Sequence, residues 1–180
     1  MFKKFKASPK QNTDPSVLIL EDDPDQMNIL VSFMHSEIKK LLIDANLNEE
    51  QKQNLQTVQI ISANNIKSLQ ELVSTHSNVL LAILDCNIPD EEGGVAHDQF
   101  IKTNHIITGQ HKPVEILIKN LPDTPITMIS SMNRFQRTVN KYYKTKHNLN
   151  INFIPKNEGA VLEKNIRYYL RKYLNLKQFY

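Results

Sequence analysis

Five polar residues stand at the ends of apolar segments in this sequence, where their side chains could do chemistry together. Short, continuous apolar segments are typical of strands that are covered on both faces in a parallel sheet. Ligands bind outside the carboxyl ends of such strands, so we expect the five residues to converge at one edge of the sheet. They are Glu21 and Asp22 after Val17–Leu20, Asp85 after Val79–Leu84, Ser130 after Pro125–Ile129, and Lys156 just beyond Ile151–Ile154.

Three of these residues are carboxylates, and their convergence would require a cation. Like charges about 4 to 5 Å apart repel by several kcal/mol at an effective dielectric constant of about 20. Oxygen ligands without His or Cys favour a hard ion, and the small number of carboxylates favours Mg²⁺ over Ca²⁺. Beside Mg²⁺, Asp85 could attack a phosphoryl group, Lys156 could neutralise its oxygens and Ser130 could hydrogen-bond one of them. The residue types therefore indicate phosphoryl transfer.

The elements that must position these residues alternate along the chain. Five strands alternating with helices are typical of an α/β protein with a doubly wound parallel sheet and helices on both faces. The first helix has a distinct start, since Asp23 can serve as N-cap, Pro24 as the first helical residue and Gln26 as the partner in a capping box. The remaining predictions are a strand at 58–62, helices at 24–43, 66–73, 134–146 and 160–176, and a polar helical piece at 48–54 that either extends the first helix or stands alone.

Length and composition exclude several classes of protein. The chain has 180 residues, 22 Lys and Arg against 19 Asp and Glu, and a formal net charge of +3, which predicts one domain and no direct DNA binding. Its four glycines cannot form a dinucleotide fingerprint or a phosphate-binding loop. Cys86 is the only cysteine, which excludes an intramolecular disulfide, and no apolar run approaches the roughly 18 residues of a membrane span. We therefore expect a cytoplasmic protein.

Four segments around the predicted strand ends match the pattern of a known family. These segments are Leu18–Pro24, Leu81–Pro89 with Gly93 after it, Pro125–Ser131 and Phe153–Lys156. In this order they resemble the receiver domain of two-component response regulators, over roughly residues 16–176. The resemblance implies the flavodoxin-like strand order 2-1-3-4-5. Residues 1–15 are basic and polar and are predicted to be a flexible segment before the receiver-like domain at 16–180.

The resemblance implies chemical roles for Asp85 and Lys156 and a set of ligands for Mg²⁺. Asp85 would be the phosphoacceptor, and Lys156 would contact the phosphoryl group. Mg²⁺ would be held by Glu21, Asp22, Asp85 and the backbone carbonyl of Asn87.

The resemblance also implies a conformational switch. In receivers a hydroxyl residue moves toward the phosphoryl group and an aromatic side chain follows, which changes the surface made by the fourth helix, fifth strand and fifth helix of the family. Ser130 and Phe153 match these two positions. This surface would contact a downstream protein or form a homodimer.

The resulting expectation is a single-domain response regulator that signals by protein contact. A histidine kinase or histidine phosphotransfer protein would donate the phosphoryl group to Asp85, in a two-component system or phosphorelay, and the protein would catalyse only its own phosphorylation and dephosphorylation. Two alternatives stay open. A pseudo-receiver would bind a partner without phosphorylation, which Asn157 favours because the family has a proline there. A phosphatase of the haloacid-dehalogenase type would need a second aspartate where Asn87 stands.

Two stretches, near residues 43–57 and 103–120, exceed what the alternating pattern requires. We expect these insertions to reshape the partner surface and to leave the pocket intact. Cys86 is predicted to be a small buried residue. Three histidines between the third and fourth strands fit no metal-ligand spacing and are interpreted as loop residues, namely His97, His105 and His111.

Overall fold

A five-stranded parallel sheet with helices on both faces forms the centre of the molecule. The computed structural model describes residues 11–44, 46–103, 106–131 and 136–176. In chain order the elements are β1 (Ser16–Leu20), α1 (Pro24–Leu42), α2 (Glu49–Gln56), β2 (Gln59–Ala63), α3 (Ile66–Thr75), β3 (Val79–Asp85), β4 (Asn87–Ile88), β5 (His97–Asp98), β6 (Phe100–Thr103), β7 (Ile106–His111), α4 (Lys112–Asn120), β8 (Ile126–Ser130), α5 (Gln136–His147), β9 (Asn152–Pro155) and α6 (Gly159–Tyr173).

The strands of the central sheet lie in the order β2-β1-β3-β8-β9, and all neighbouring pairs are parallel. When only these five strands are counted, the order is 2-1-3-4-5, so the predicted flavodoxin-like arrangement is confirmed. β3 lies at the centre, between β1 and β8. Its residues are buried except for the partly exposed Leu80, as the continuous apolar run predicts.

The core has two halves, one on each face of the sheet. Successive residues of β1 point to opposite faces, so Leu18 belongs to one half and Ile19 to the other. Helices α3, α4 and α5 cover the first face, and α1, α2 and α6 cover the second. None of the helices in the described ranges is both long and apolar enough to cross a bilayer.

The predicted start of α1 is confirmed, with one difference. The Asp23 side chain accepts hydrogen bonds from the N–H groups of Asp25 at 2.9 Å and Gln26 at 3.3 Å, and Pro24 is the first helical residue. Gln26 does not complete a capping box, because the Asp23 N–H donates to the Glu21 side chain at 3.3 Å instead. The start of the helix is thereby tied to Glu21.

The first stretch of extra residues contains a separate short helix. α2 begins at a capping box, in which Asn48 and Gln51 each accept a hydrogen bond from the backbone N–H of the other. Leu47 and Leu55 are buried in the core half that α1 and α6 cover. The helical piece expected near 48–54 therefore stands alone and does not extend α1.

The second stretch contains four short strands that the sequence analysis does not predict. β4 pairs with β5 and β6 pairs with β7, and both pairs are antiparallel. The excess expected near 103–120 lies at 87–111 in the structure, because Lys112–Asn120 forms α4. A parallel connection between β3 and β8 requires such a crossover helix.

The interpretation of the three histidines as loop residues is wrong for two of them. His97 lies in β5, and its ring nitrogen is 3.1 Å from the Asp90 carboxylate. His111 ends β7 and is fully buried, with its ring centre 4.8 Å from that of Phe100. His105 lies outside the described residues.

Candidate functional site

Asp85, Glu21 and Lys156 meet at the carboxyl edge of the central sheet. Asp85 is the last residue of β3, while Glu21 directly follows β1 and Lys156 directly follows β9. The Lys156 ammonium group donates hydrogen bonds to Glu21 Oε2 and Asp85 Oδ2, each at 2.9 Å. Both carboxylates are buried, with 1% of Glu21 and 5% of Asp85 exposed. The strand order thus brings together three residues that are far apart in the sequence.

Asp22 completes an acidic cluster with Glu21 and Asp85. One carboxylate oxygen from each residue lies within 4.8 Å of the other two. Asp22 is partly exposed, so the cluster is accessible from its side. A cavity of about 350 Å³ adjoins Glu21 and Asp22 and extends to Asn64. Carboxylate oxygens beside an open space are the ligands that Mg²⁺ prefers in proteins.

The acidic cluster and Lys156 together carry more negative than positive charge. Burial and then the neighbouring charge of Asp85 raise the pKa of Glu21 to about 7, although Lys156 acts in the opposite direction. Burial also raises the pKa of Asp85. For Lys156, burial acts to lower the pKa, but hydrogen bonds to Glu21 and Asp85 outweigh it and raise the pKa. One ammonium group does not balance three carboxylates, so the residues present fit a bound cation.

The two carboxylate oxygens of Asp85 have separate partners. The backbone N–H of Cys86 donates to Oδ1 at 2.6 Å, while Oδ2 accepts from Lys156. Cys86 is buried, as the sequence predicts. The carboxylate is therefore held in one orientation by the residue that follows it and by the facing ammonium group.

Asn87 lies in β4, and the strand register determines where its backbone carbonyl points. Asn87 pairs with Asp98, while the N–H of Gln99 donates to the carbonyl of Cys86 at 3.3 Å. Hydrogen-bonded and non-hydrogen-bonded positions alternate along an antiparallel pair, so Asn87 occupies a non-hydrogen-bonded position. Its carbonyl therefore does not bond to β5, and its role as a cation ligand stays a prediction.

Ser130 and Phe153 lie on the two strands beyond β3. Ser130 is the buried last residue of β8, and its carbonyl accepts a hydrogen bond from the Lys156 N–H at 3.1 Å. Phe153 pairs with Met128 and packs, partly buried, against the core half that α4 and α5 cover. Ser130 is thus at the edge that carries the acidic cluster, whereas Phe153 lies further down the sheet. Their roles as switch residues stay predictions.

Two residues whose role the sequence does not reveal hold the loop after Asp85. Besides the N–H of Gln99, the ring Nε2 of His111 contacts the Cys86 carbonyl, at 3.4 Å. The Gln99 side chain donates to the carbonyl of Ile88 at 2.6 Å. Gln99 and His111 belong to the second stretch of extra residues. Neither stands in a recognisable motif, and only the folded chain brings them close to Asp85.

Comparisons with known proteins agree with this fold. No family model matches the sequence, and no curated protein matches it significantly. Among solved structures, the signal receiver domain of an HD domain-containing protein from Pseudomonas fluorescens has a TM-score of 0.54 and 10% identity, with 91% of both chains covered.

Two further solved structures give similar values. The N-terminal domain of a response regulator/sensory box/GGDEF three-domain protein from Carboxydothermus hydrogenoformans has a TM-score of 0.53 and 11% identity, over 88% of this chain and 95% of that one. A response regulator receiver protein from Sinorhizobium medicae has a TM-score of 0.50 and 11% identity, with the same coverage of 88% and 95%. At these identities the likeness shows the fold alone. The chain has the receiver fold that its sequence resemblance implies.

Proposed function

We propose that this chain is a response regulator receiver that accepts a phosphoryl group on Asp85. The observation that carries the proposal is the pair of 2.9 Å hydrogen bonds from Lys156 to Glu21 and Asp85, within the receiver fold. A structural ion pair would need only one carboxylate. Two buried carboxylates, with Asp22 close by, suit a site that binds a cation and transfers a phosphoryl group at the carboxyl ends of parallel strands.

In the proposed reaction, a carboxylate oxygen of Asp85 attacks the phosphorus atom of a phosphohistidine. The bond from phosphorus to the histidine nitrogen breaks, its electron pair stays on the nitrogen, which takes up a proton from solvent, and an acyl phosphate forms on Asp85. The Cys86 N–H, 2.6 Å from Oδ1, orients the carboxylate for this attack. Lys156, 2.9 Å from Oδ2, is close enough to pair with an oxygen of the new phosphoryl group.

Mg²⁺ suits the acidic cluster, because the donor atoms are oxygens and their negative charge exceeds that of the single ammonium group. When bound, the ion would neutralise charge on the phosphoryl group. Ser130, which ends the neighbouring strand, would hydrogen-bond a phosphoryl oxygen. The groups that would hold the ion are Glu21, Asp22, Asp85 and the backbone carbonyl of Asn87.

A histidine kinase or histidine phosphotransfer protein supplies the phosphoryl group in this proposal. The protein catalyses only its own phosphorylation and dephosphorylation, and it acts in the cytoplasm together with its phosphoryl donor. After phosphorylation, Ser130 moves toward the phosphoryl group and Phe153 follows, which changes the surface formed by α5, β9 and α6. A downstream protein or a second copy of the chain binds the changed surface.

Incubation with acetyl phosphate and Mg²⁺ tests the proposal. We expect intact-mass spectrometry to detect one added phosphoryl group on the wild-type protein and none on Asp85→Asn. Asp25→Asn is the matched control, because Asp25 is an exposed carboxylate outside the acidic cluster. This control should be modified to the same extent as the wild type.

Beryllofluoride with Mg²⁺ provides a second measurement, read from amide shifts in NMR spectra. If the folded wild-type protein responds neither to beryllofluoride nor to acetyl phosphate, the proposal is wrong. The chain would then be a pseudo-receiver that binds its partner without phosphorylation. Turnover of a chromogenic phosphate ester would instead favour the phosphatase alternative.

A further inference from the structure

Several cations of this protein are paired with carboxylates, including Lys112 of α4 with Asp90, whereas in the described ranges the cations of α5 are not. On the side of α1 and α6, Lys40 and Arg167 both pair with Glu37. On α5, Lys141 and Arg137 are exposed, and in the described ranges neither forms an ion pair. The sequence explains the difference, because it has no Asp or Glu from 124 to 157. The charge on α5 is therefore presented to solvent.

These cations line a groove between α5 and the inserted strand β7. The groove has a volume of about 570 Å³, and Arg137, Lys141 and Lys146 line it together with the ring of Tyr142 and the hydroxyl of Thr108. The Lys146 ammonium group lies 5.9 Å from the centre of the Tyr142 ring, a distance typical of a cation–π contact. The Thr108 hydroxyl already donates to the Ile101 carbonyl at 2.9 Å, so the groove combines positive charge with an aromatic face.

A glycine allows β7 to form the wall of this groove. Gly109 has a φ angle of +89°, and a Cβ atom there would lie 2.7 Å from the Thr138 carbonyl oxygen and 2.8 Å from Cβ of Tyr142. Only glycine fits such a close approach in this conformation. The inserted strand is therefore packed directly on α5, and the groove is a built feature of the fold and not a gap beside a loose loop.

The spacing of the cations indicates the shape of the ligand. Arg137 and Lys146 are nine residues apart on one helix, which corresponds to about 14 Å at roughly 1.5 Å per residue. Nine residues are about two and a half turns, so these two cations flank the groove at opposite edges and opposite ends, and a single phosphate group could contact only one of them. An extended peptide, at about 3.3 Å per residue, spans the same length with about four residues.

We propose that this groove binds a short acidic peptide segment of a protein partner. A peptide fits better than a nucleic acid, because the net charge of the chain is only +3 and polynucleotide binding rests on a larger surface of one charge sign. The carboxylates of the segment would pair with Arg137, Lys141 and Lys146. The proposal does not depend on phosphorylation of Asp85, so either proposal can fail without the other.

Fluorescence anisotropy with a labelled hexaglutamate peptide tests this binding at low ionic strength. We expect the wild-type protein to bind this peptide and not its hexaglutamine counterpart. The double variant R137E/K141E should bind at least tenfold more weakly. The double variant K39E/K164E is the matched control, since it makes the same change of charge at exposed lysines on α1 and α6, and its affinity should stay within twofold of the wild type.

A second measurement locates the site. Amide shifts caused by the hexaglutamate peptide should concentrate in β7 and α5. The proposal is overturned if the peptide does not bind, if both double variants weaken binding equally, or if a hexathymidine oligonucleotide binds more tightly than the peptide. Unchanged circular dichroism spectra will show that R137E/K141E is folded.

Discussion

The two stretches of extra residues attach to the central sheet in different ways. The first is held by apolar burial, since Leu47 and Leu55 are only 5% and 0% exposed, and by polar contacts near the end of α6, where Gln51 donates to the Leu174 carbonyl. The second, at 87–111, makes its polar contacts next to Asp85, since Gln99 and His111 approach the Cys86 carbonyl. Contacts near the end of α6 add stability, whereas contacts next to Asp85 also restrain the loop that follows it. The difference suggests a structural purpose for the first stretch and a functional one for the second.

Charged residues divide in the same way. Near the first stretch, Asp44 pairs with Arg171 and Glu37 pairs with Arg167. Near the second, the cations of the groove lack such pairs among the residues that the structure describes. The ion pairs between α1 and α6 are therefore internal to the fold, whereas the groove cations of α5 are exposed to solvent, although Lys112 of the neighbouring α4 pairs with Asp90. Three predictions test this division, in order of decreasing effect.

Leu55→Ala should produce the largest change in stability. Leu55 is fully buried between α2 and the core half that α1 and α6 cover. Removing a buried leucine side chain lowers the free energy of unfolding by about 2 to 5 kcal/mol, through lost apolar burial and the cavity left behind. Urea unfolding followed by circular dichroism measures this change.

Ile43→Ala is the matched control for the first prediction. Ile43 lies in the same stretch but is 82% exposed, so its substitution should change the free energy of unfolding by less than about 0.5 kcal/mol. If Leu55→Ala proves as mild as this control, α2 is not an integral part of the core.

His111, in the second stretch, should lower the free energy of unfolding in acid. Burial lowers the pKa of His111 to about 4, although its contact with the Cys86 carbonyl acts in the opposite direction. In the unfolded chain the pKa of a histidine is about 6.5. Below that pH the unfolded chain binds a proton that the folded protein does not, so the free energy of unfolding falls. Between pH 7 and pH 5 we expect His111 to contribute a loss of about 2 kcal/mol.

His111→Gln separates this contribution from other titrating groups. Glutamine can still donate to the Cys86 carbonyl, but it does not titrate. Urea unfolding of both proteins at pH 7 and pH 5 gives two losses of stability, and the loss of the wild type should exceed that of the variant. Equal losses would show that protonation of His111 does not limit stability in acid.

The sequence predicts the central sheet well because its signals are local. The apolar runs at Val17–Leu20 and Val79–Leu84 match the buried strands β1 and β3 to within one residue, and the N-cap at Asp23 is also a local signal. Residues that end such strands converge once the strand order is known, which is why Glu21 and Asp85 could be placed at one edge in advance.

The strands at 87–111 could not be predicted in the same way. β4 and β5 have only two residues each, too few to show a period, and their pairing joins residues about ten positions apart. The burial of His111 depends on tertiary packing, because its backbone N–H donates to the hydroxyl of Tyr143 on α5 at 2.9 Å. No pattern near His111 in the sequence indicates this contact.

Glu37→Gln tests the ion pairs between α1 and α6, with the smallest expected effect. Glu37 is fully buried, and it accepts hydrogen bonds from Lys40 at 2.6 Å and from Arg167 at 2.5 and 3.1 Å. Burial acts to raise the pKa of Glu37, but the hydrogen bonds from Arg167 and Lys40 outweigh it and hold the pKa below its usual value. We expect the substitution to lower the free energy of unfolding at pH 7 by about 1 kcal/mol, because solvent screens the partly exposed partners.

The pH dependence of this effect follows from the lowered pKa of Glu37. A carboxylate whose pKa is lower in the folded protein than in the unfolded chain stabilises the fold when the pH is above the pKa of the unfolded chain. This contribution is lost as the pH falls through the pKa of the folded protein. The difference between the wild type and Glu37→Gln should therefore be present at pH 7 and shrink below about pH 4. Lys141→Gln, the matched neutralisation on α5, should change stability by less than about 0.5 kcal/mol at either pH. An unpaired, exposed cation such as Lys141 should add nothing to the free energy of unfolding. If both substitutions lowered it equally, the ion pairs of Glu37 would contribute no more to stability than the exposed cations of α5.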